Sequence, residues 1–304
     1  NGTWAFDYTD FDKWVKLNME NGVDSKIKCY SLANWNENLI YLDEATNSAK
    51  TMSCKVGTDV WREAWTAFLA DFMAHLKEKG WFEITYLSMD ERSTEQIAAV
   101  CELVSNFKDE NGKIFKMSLA TNRVSSRAYF DYFDDLAFSS SQRNVLGDIV
   151  TNRAAKGLTT MFYTCGATAG SLKNEPYASL DFYYFLYQRG CDGYLRWAFD
   201  AFPDDPLADT SHWKFVAGDQ NLIYPDSRDE QNPTVRSSVR YQVMMESYKN
   251  ICALETMKSM SEEGESGVKS LVNSYTAYSG AKMSQTKTME NSIFKLAEKL
   301  LASK

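Results

Sequence analysis

Histidine is almost missing from this chain. His75 and His212 are the only two, and His75 falls inside an amphipathic helical pattern, where a partly buried helix residue is expected. The six cysteines (Cys29, Cys54, Cys101, Cys165, Cys191 and Cys252) are widely spaced and form no CxxC. That spacing excludes a compact thiolate zinc site, and a disulfide framework is uncommon in a chain this long. Metal catalysis therefore has no support, and no cofactor is called for. Long basic runs are missing too, and the net charge is −8, so nucleic acid is not an expected partner. No apolar run approaches the roughly 18 residues that a membrane span requires. No GxGxxG follows a strand, which argues against a dinucleotide-binding sheet. There is no internal repeat, no signal peptide and no initiator Met. The opening "NGTWAFDYTD" reads like the interior of a longer, processed protein.

What remains is a globular composition, with 44% hydrophobic and 24% charged residues in a chain long enough for one large domain or two small ones. Aromatic residues make up 14%. That share suits a sugar-binding cleft, whose flat rings stack on apolar faces, and equally a large core.

Periodicity organises the chain. "DFDKWVKLNMENG" (10–22) reads as a helix closed by Gly22, "KIKCYSL" (26–32) as a strand, and 39–57 as a hairpin inserted in a loop. The segment 58–80 is a long amphipathic helix with Trp61, Trp65, Phe68, Leu69, Phe72 and Leu76 on one stripe. Strands then alternate with helices: strands at 82–90, 116–122, 135–140, 158–166 and 192–202, helices at 94–108, 145–157, 177–190 and 237–259. Such alternation implies βα units and a parallel sheet. Six strands with one or two more suspected favour a (β/α)8 TIM-type barrel over 1–260, with a first strand allowed for upstream of the chain. At 260 the composition changes. "MSEEGESGVKS" reads as a polar break, and an amphipathic helix at 292–304 completes a small C-terminal helical extension over 261–304.

In such a barrel, chemistry collects at the C-terminal ends of the strands. These ends carry Tyr30 and Ser31, Asp90 and Glu91, Thr121 and Asn122, Ser139 and Ser140, Tyr163 to Gly166, and Arg196 to Asp200. Parity puts Tyr86, Ser88 and Asp90 on one face of their strand. Asp90 then aims along the barrel axis, with Glu91 at the loop junction. The plain alternative is that Asp90 caps the next helix and Glu91 pairs with Arg92. Two adjacent carboxylates cannot straddle a scissile bond as an acid and an enzymic nucleophile do. They suit substrate-assisted hydrolysis, in which a 2-acetamido oxygen attacks and the second carboxylate orients its N–H. Arg196 and Asp200 share a strand face that Trp197 does not, unless a bulge intervenes. An internal Arg196–Asp200 ion pair is the plain alternative there. Trp35 and Trp213 lie in loops after strands, as stacking platforms or as loop anchors.

"HLKEKGWFEITYLSMDER" (75–92) resembles glycoside hydrolase family 123. The likeness continues through "DYTDFDKWV" (7–15), "YLDEATNSAK" (41–50), "DGYLRWAFDAF" (192–202), "AGDQNLIYP" (217–225) and "SSVR" (237–240), and so covers residues 1 to about 255. The resemblance implies a retaining β-N-acetylgalactosaminidase that acts on a glycan through an oxazolinium intermediate. It makes Glu91 the general acid/base and Asp90 the residue that polarises the acetamido group. Tyr163 resembles the tyrosine whose hydroxyl supports the acetamido carbonyl, and Trp197 an aromatic wall of the sugar pocket. Arg196, Asp200, Asn122 and Trp35 complete the expected substrate-binding set. The family's amino-terminal β-sandwich is absent from this chain, and a secreted, periplasmic or cell-surface location is expected. Two rival readings stay open: a retaining glycosidase with Asp200 as nucleophile, and a non-catalytic carbohydrate-binding barrel.

Overall fold

The computed structural model describes residues 3–142, 147–166, 170–212, 214–227, 234–276 and 283–303. The chain comprises two compact units, residues 1–146 with 153–159 and residues 147–152 with 160–304. The first contains α1 (Thr9–Glu20), β1 (Ile27–Tyr30), β2 (Asn38–Asp43), β3 (Ser48–Ser53), α2 (Asp59–Glu78), β4 (Thr85–Met89), α3 (Thr94–Ser105), β5 (Lys116–Thr121) and β6 (Asp135–Ser139). The short α4 (Ile149–Ala154) and β7 (Thr159–Thr164) follow. The second unit continues with α5 (Ala178–Gln188), β8 (Gly193–Arg196), β9 (Ile223–Ser227), β10 (Thr234–Ser237), α6 (Val239–Met260), α7 (Glu262–Ser274) and α8 (Met283–Ala302).

The alternation of strands and helices is as the periodicity implies, but the closed eight-stranded barrel is not formed. One sheet takes the order β1–β4–β5–β6–β7–β8 and is open, ending at β1 and β8. Its described pairs are all parallel. The remaining strands spend their backbone hydrogen bonds on each other, β2 with β3 and β9 with β10, as two antiparallel pairs. Six strands cannot complete the tilt and stagger that an eight-stranded closure needs. The segment between β8 and α6 thus adds a separate hairpin and no further strand to the sheet.

Within the first unit the sheet is nonetheless strongly curved. Lys26 Nζ and Lys28 Nζ lie 2.8 and 3.1 Å from Asp135 Oδ2. Lys28 is on β1 and Asp135 opens β6, with β4 and β5 in between. Three strand spacings on a flat sheet would separate them by about 14 Å, so the concave face must bring these side chains inward. All five residues of β4 are buried, as befits a strand covered on both faces. Helix α2 begins at its cap, Thr58, and buries Trp61, Leu69, Phe72 and Leu76. His75 is indeed a helix residue on α2, stacked on Tyr8 at 4.1 Å and 2.7 Å from Asp12 Oδ1.

In the second unit, α5 to α8 enclose a core of Leu180, Tyr184, Leu254, Met257, Val268, Val272, Met289, Ile293 and Leu300. Tyr275 donates to the buried Asp181 at 2.6 Å. The polar break read at 260–270 is in fact the start of α7. Ser261 caps it by accepting from Gly264 N at 3.0 Å, and Glu262, Glu263 and Glu265 sit in its first turn, where acids favour the helix dipole. Position 264 needs a glycine because the backbone of α6 passes close by. A Cβ there would lie 2.0 Å from Met257 O.

Gly264→Ala is accordingly expected to destabilise the protein by about 1–3 kcal/mol, as overpacking does. Thermal denaturation should show this as a lower Tm, whereas an unchanged Tm would contradict the close approach of α6 and α7.

Candidate active site

The loop after β4 delivers two carboxylates. Strand β4 ends at Met89, and the following turn presents Asp90 and Glu91, both half-buried, before Arg92 turns back into the protein. The helix cap lies downstream of them. Ser93 Oγ accepts from Gln96 N at 3.3 Å, and Gln96 Oε1 accepts from Ser93 N at 3.1 Å, which is a complete capping box for α3. Asp90 is therefore not the cap, and its carboxylate does something else. Its Oδ1 accepts from the Glu91 backbone N–H at 2.8 Å, and its Oδ2 accepts from the Trp35 indole N–H at 2.9 Å.

Glu91 is held from the next strand. Asn122, the first residue past β5, donates from Nδ2 to Glu91 Oε2 at 2.6 Å. The Asn122 Oδ1 atom is buried and finds no partner among the described residues. The two acids are thus oriented by different neighbours, an indole and a carboxamide, although they are consecutive in sequence. Parallel pairing of β1, β4 and β5 brings Trp35, Asp90, Glu91 and Asn122 to one end of the sheet in the first unit. That end is where ligands bind in parallel α/β sheets.

Arg92 is a contributor that sequence reading missed. Its side chain is directed at the loop after β1: Nε donates to Ala33 O at 2.6 Å, and the guanidinium carbon lies 3.8 Å from the Trp35 ring centroid. Burial pulls Arg92 below the usual guanidinium range, opposed by the negative charges of Asp90 and Glu37.

The second unit assembles another set of the expected residues. Arg196 is the last residue of β8, and Trp197 follows it in a bend. The strand expected to run to 202 stops at 196, which removes the parity difficulty without a bulge. Both side chains converge on Asp219. Arg196 Nη2 contacts Asp219 O and Oδ1, Trp197 Nε1 donates to Asp219 Oδ2 at 2.9 Å, and Gly166 N donates to the same oxygen at 2.7 Å. Arg196 Nη1 also donates to Thr164 O and Oγ1, both at 3.0 Å. The internal ion pair is therefore Arg196–Asp219, and not Arg196–Asp200. Asp200 is exposed and forms an isolated bridge with Asn221. Tyr163 is buried on β7, in register with Leu195 of β8. Trp197 packs against Phe215 at 4.6 Å while remaining 37% exposed. Trp213 lies outside the described residues.

Asp219 also escaped the reading of residues, although it stands in the quoted "AGDQNLIYP". A fully buried acid in a loop carries no periodic signal. Asp200, four residues from Arg196, is the nearer candidate in sequence, so nothing local points to Asp219. Among the described residues no cluster of three or more His, Cys, Asp or Glu side chains is gathered that could hold a metal. No described helix is long and apolar enough to cross a membrane.

Comparison with known proteins bears on the family. No curated protein matches the chain. A solved structure of a family 123 glycoside hydrolase from Clostridium perfringens, described for the details of glycolipid glycan hydrolysis, is similar to it with a TM-score of 0.90 and 30% identity. The likeness covers 99% of this chain, and so includes helices beyond residue 257, but only 57% of that longer chain. The family model for the catalytic domain of glycoside hydrolase 123 matches residues 1–257. The chain belongs to glycoside hydrolase family 123.

Proposed function

We propose that this glycoside hydrolase removes terminal β-linked N-acetylhexosamine, with N-acetylgalactosamine as the preferred sugar, and does so with retention through substrate assistance. The observation that supports it is that Asp90 and Glu91 are adjacent yet separately held, by Trp35 and by Asn122, with neither spent on the helix cap. In this reading the acetamido carbonyl oxygen attacks C1 while Glu91 gives its proton to the departing glycosidic oxygen. The C1–O bond breaks, and an oxazolinium ring carries the positive charge. Asp90 accepts the ring N–H and balances that charge in place of solvent. Glu91 then takes a proton from water, which opens the ring at C1 from the face the aglycone left. Two inversions give net retention.

Trp197 and Tyr163 are proposed to bind the sugar, the exposed edge of Trp197 serving as an apolar wall, while Arg196 supports Trp197 indirectly through their shared partner Asp219. Asp200 is kept as a peripheral polar contact. The glycolipid hydrolysis described for the Clostridium perfringens enzyme makes lipid-linked glycans one candidate substrate class, and family likeness supports a secreted, periplasmic or cell-surface setting. Turnover of an aryl β-N-acetylgalactosaminide would exclude a purely sugar-binding role.

Two kinetic outcomes follow from the assigned roles. Glu91→Gln keeps the shape and the Asn122 contact but cannot protonate a leaving group. Its loss in kcat should be small for activated aryl leaving groups and large for unactivated ones. Equal losses across the series would remove the acid role. Progressive fluorination of the substrate's acetyl group weakens the attacking oxygen, so hydrolysis should slow with each fluorine, and the 2-hydroxy glycoside should be inert. An enzymic nucleophile such as Asp200 would instead give a flat response and a glycosyl adduct visible by mass spectrometry.

A further inference from the structure

Trp35 is 65% exposed, and an exposed indole ordinarily samples several rotamers. Here it is held on two sides. Its N–H is fixed on Asp90 Oδ2, and one ring face is covered by the guanidinium of Arg92 at 3.8 Å. Arg92 itself is only 5% exposed. Its Nη2 is buried with no hydrogen-bond partner among the described residues, an arrangement that a weakly hydrated guanidinium tolerates when its flat face lies on an aromatic ring.

The loop that carries Trp35 is anchored independently. Trp61 of α2 donates from Nε1 to Leu32 O at 2.7 Å, Arg92 Nε donates to Ala33 O at 2.6 Å, and Gln96 of α3 donates to Glu37 Oε1 at 3.0 Å. Residues 32–37 are thus tied down at both ends, and Arg92 contributes twice, once to the backbone and once under the ring. A lysine could supply the charge, but not the planar stack together with the Nε hydrogen bond.

We propose that Arg92 and Trp35 form a positioning relay for Asp90. Arg92 sets the plane of the Trp35 indole, and the indole N–H fixes the rotation of the Asp90 carboxylate, with Oδ1 committed to the Glu91 N–H. Each carboxylate oxygen keeps a second acceptor site for a substrate N–H. The relay is thereby a further specificity device for 2-acetamido sugars: an acceptor must stand ready at a defined angle before the substrate arrives. This role rests on the catalytic assignment of Asp90 proposed above.

Two measurements test it, one of them without turnover. Hydrogen exchange of the Trp35 indole N–H, followed by NMR in the intact chain, should be slow for so exposed a ring. Asp90→Ala and Arg92→Lys should each accelerate it at least about tenfold. In kinetics, Trp35→Phe keeps a ring over Arg92 and removes only the donor. It should lower kcat about 10- to 100-fold, as misplacement of a reacting group does, with little change in KM, and the effect should vanish in an Asp90→Asn background. Fast exchange in the wild-type protein, or a Trp35→Phe loss that persists without the Asp90 carboxylate, would overturn the relay. A protected indole that responds to Asp90→Ala in a protein that turns over no N-acetylhexosaminide would leave the relay standing and remove the proposed function.

Discussion

The Asp90 carboxylate is fixed by two N–H donors from different parts of the chain, and the candidate chemistry depends on that constraint. One donor is the backbone of the next residue, and the other is an indole 55 positions upstream. The first is guaranteed by the tight turn after β4. The second requires β1 and β4 to lie side by side in parallel, so that the loop after one faces the loop after the other. A free aspartate at a strand tip would sample several rotamers. A doubly held one is already in place when charge develops near it, which is what makes electrostatic stabilisation effective in catalysis.

The same economy governs the neighbouring acid and the second unit. Glu91 is oriented by Asn122 from β5, so the three adjacent strands β1, β4 and β5 each contribute one element of the first unit's constellation. In the second unit a buried acid plays the organising part. Asp219 gathers Arg196, Trp197 and the Gly166 backbone, and a carboxylate with several donors of this kind is a buried ion that is properly compensated. Removal of Asp219 would leave the Arg196 charge uncompensated and Trp197 without its anchor. In both units the candidate site side chains are thus held by polar partners drawn from other elements.

Much of this was legible in the chain, for stated reasons. The helices α1, α2 and α3 announce themselves by apolar stripes and by Thr58 and Ser93 at their starts, and "TYLSMDE" ends a strand on two acids. Barrel closure was not legible, because six strands alternating with helices read alike whether their parallel sheet stays open or gains further strands and closes. The α7 helix was misread as a break because its glycines serve close helix packing and its acids serve a helix start. Trp197 seemed to face away from Arg196 only while β8 was taken to run past residue 196. Asp219 and Arg92 carry no periodic signal at all. Their partners are brought to them by the fold, over separations of 23 and 57 residues.

Affinity for a thiazoline mimic of the oxazolinium ion tests the central claim most directly, because it probes the arrangement around Asp90 apart from the leaving group. Titration calorimetry should find it bound at least about 10²-fold tighter than N-acetylgalactosamine, as stable analogues of a reactive intermediate are, and Asp90→Asn should abolish most of that advantage. A thiazoline that binds no tighter than the sugar, or one whose affinity ignores Asp90, would contradict the account.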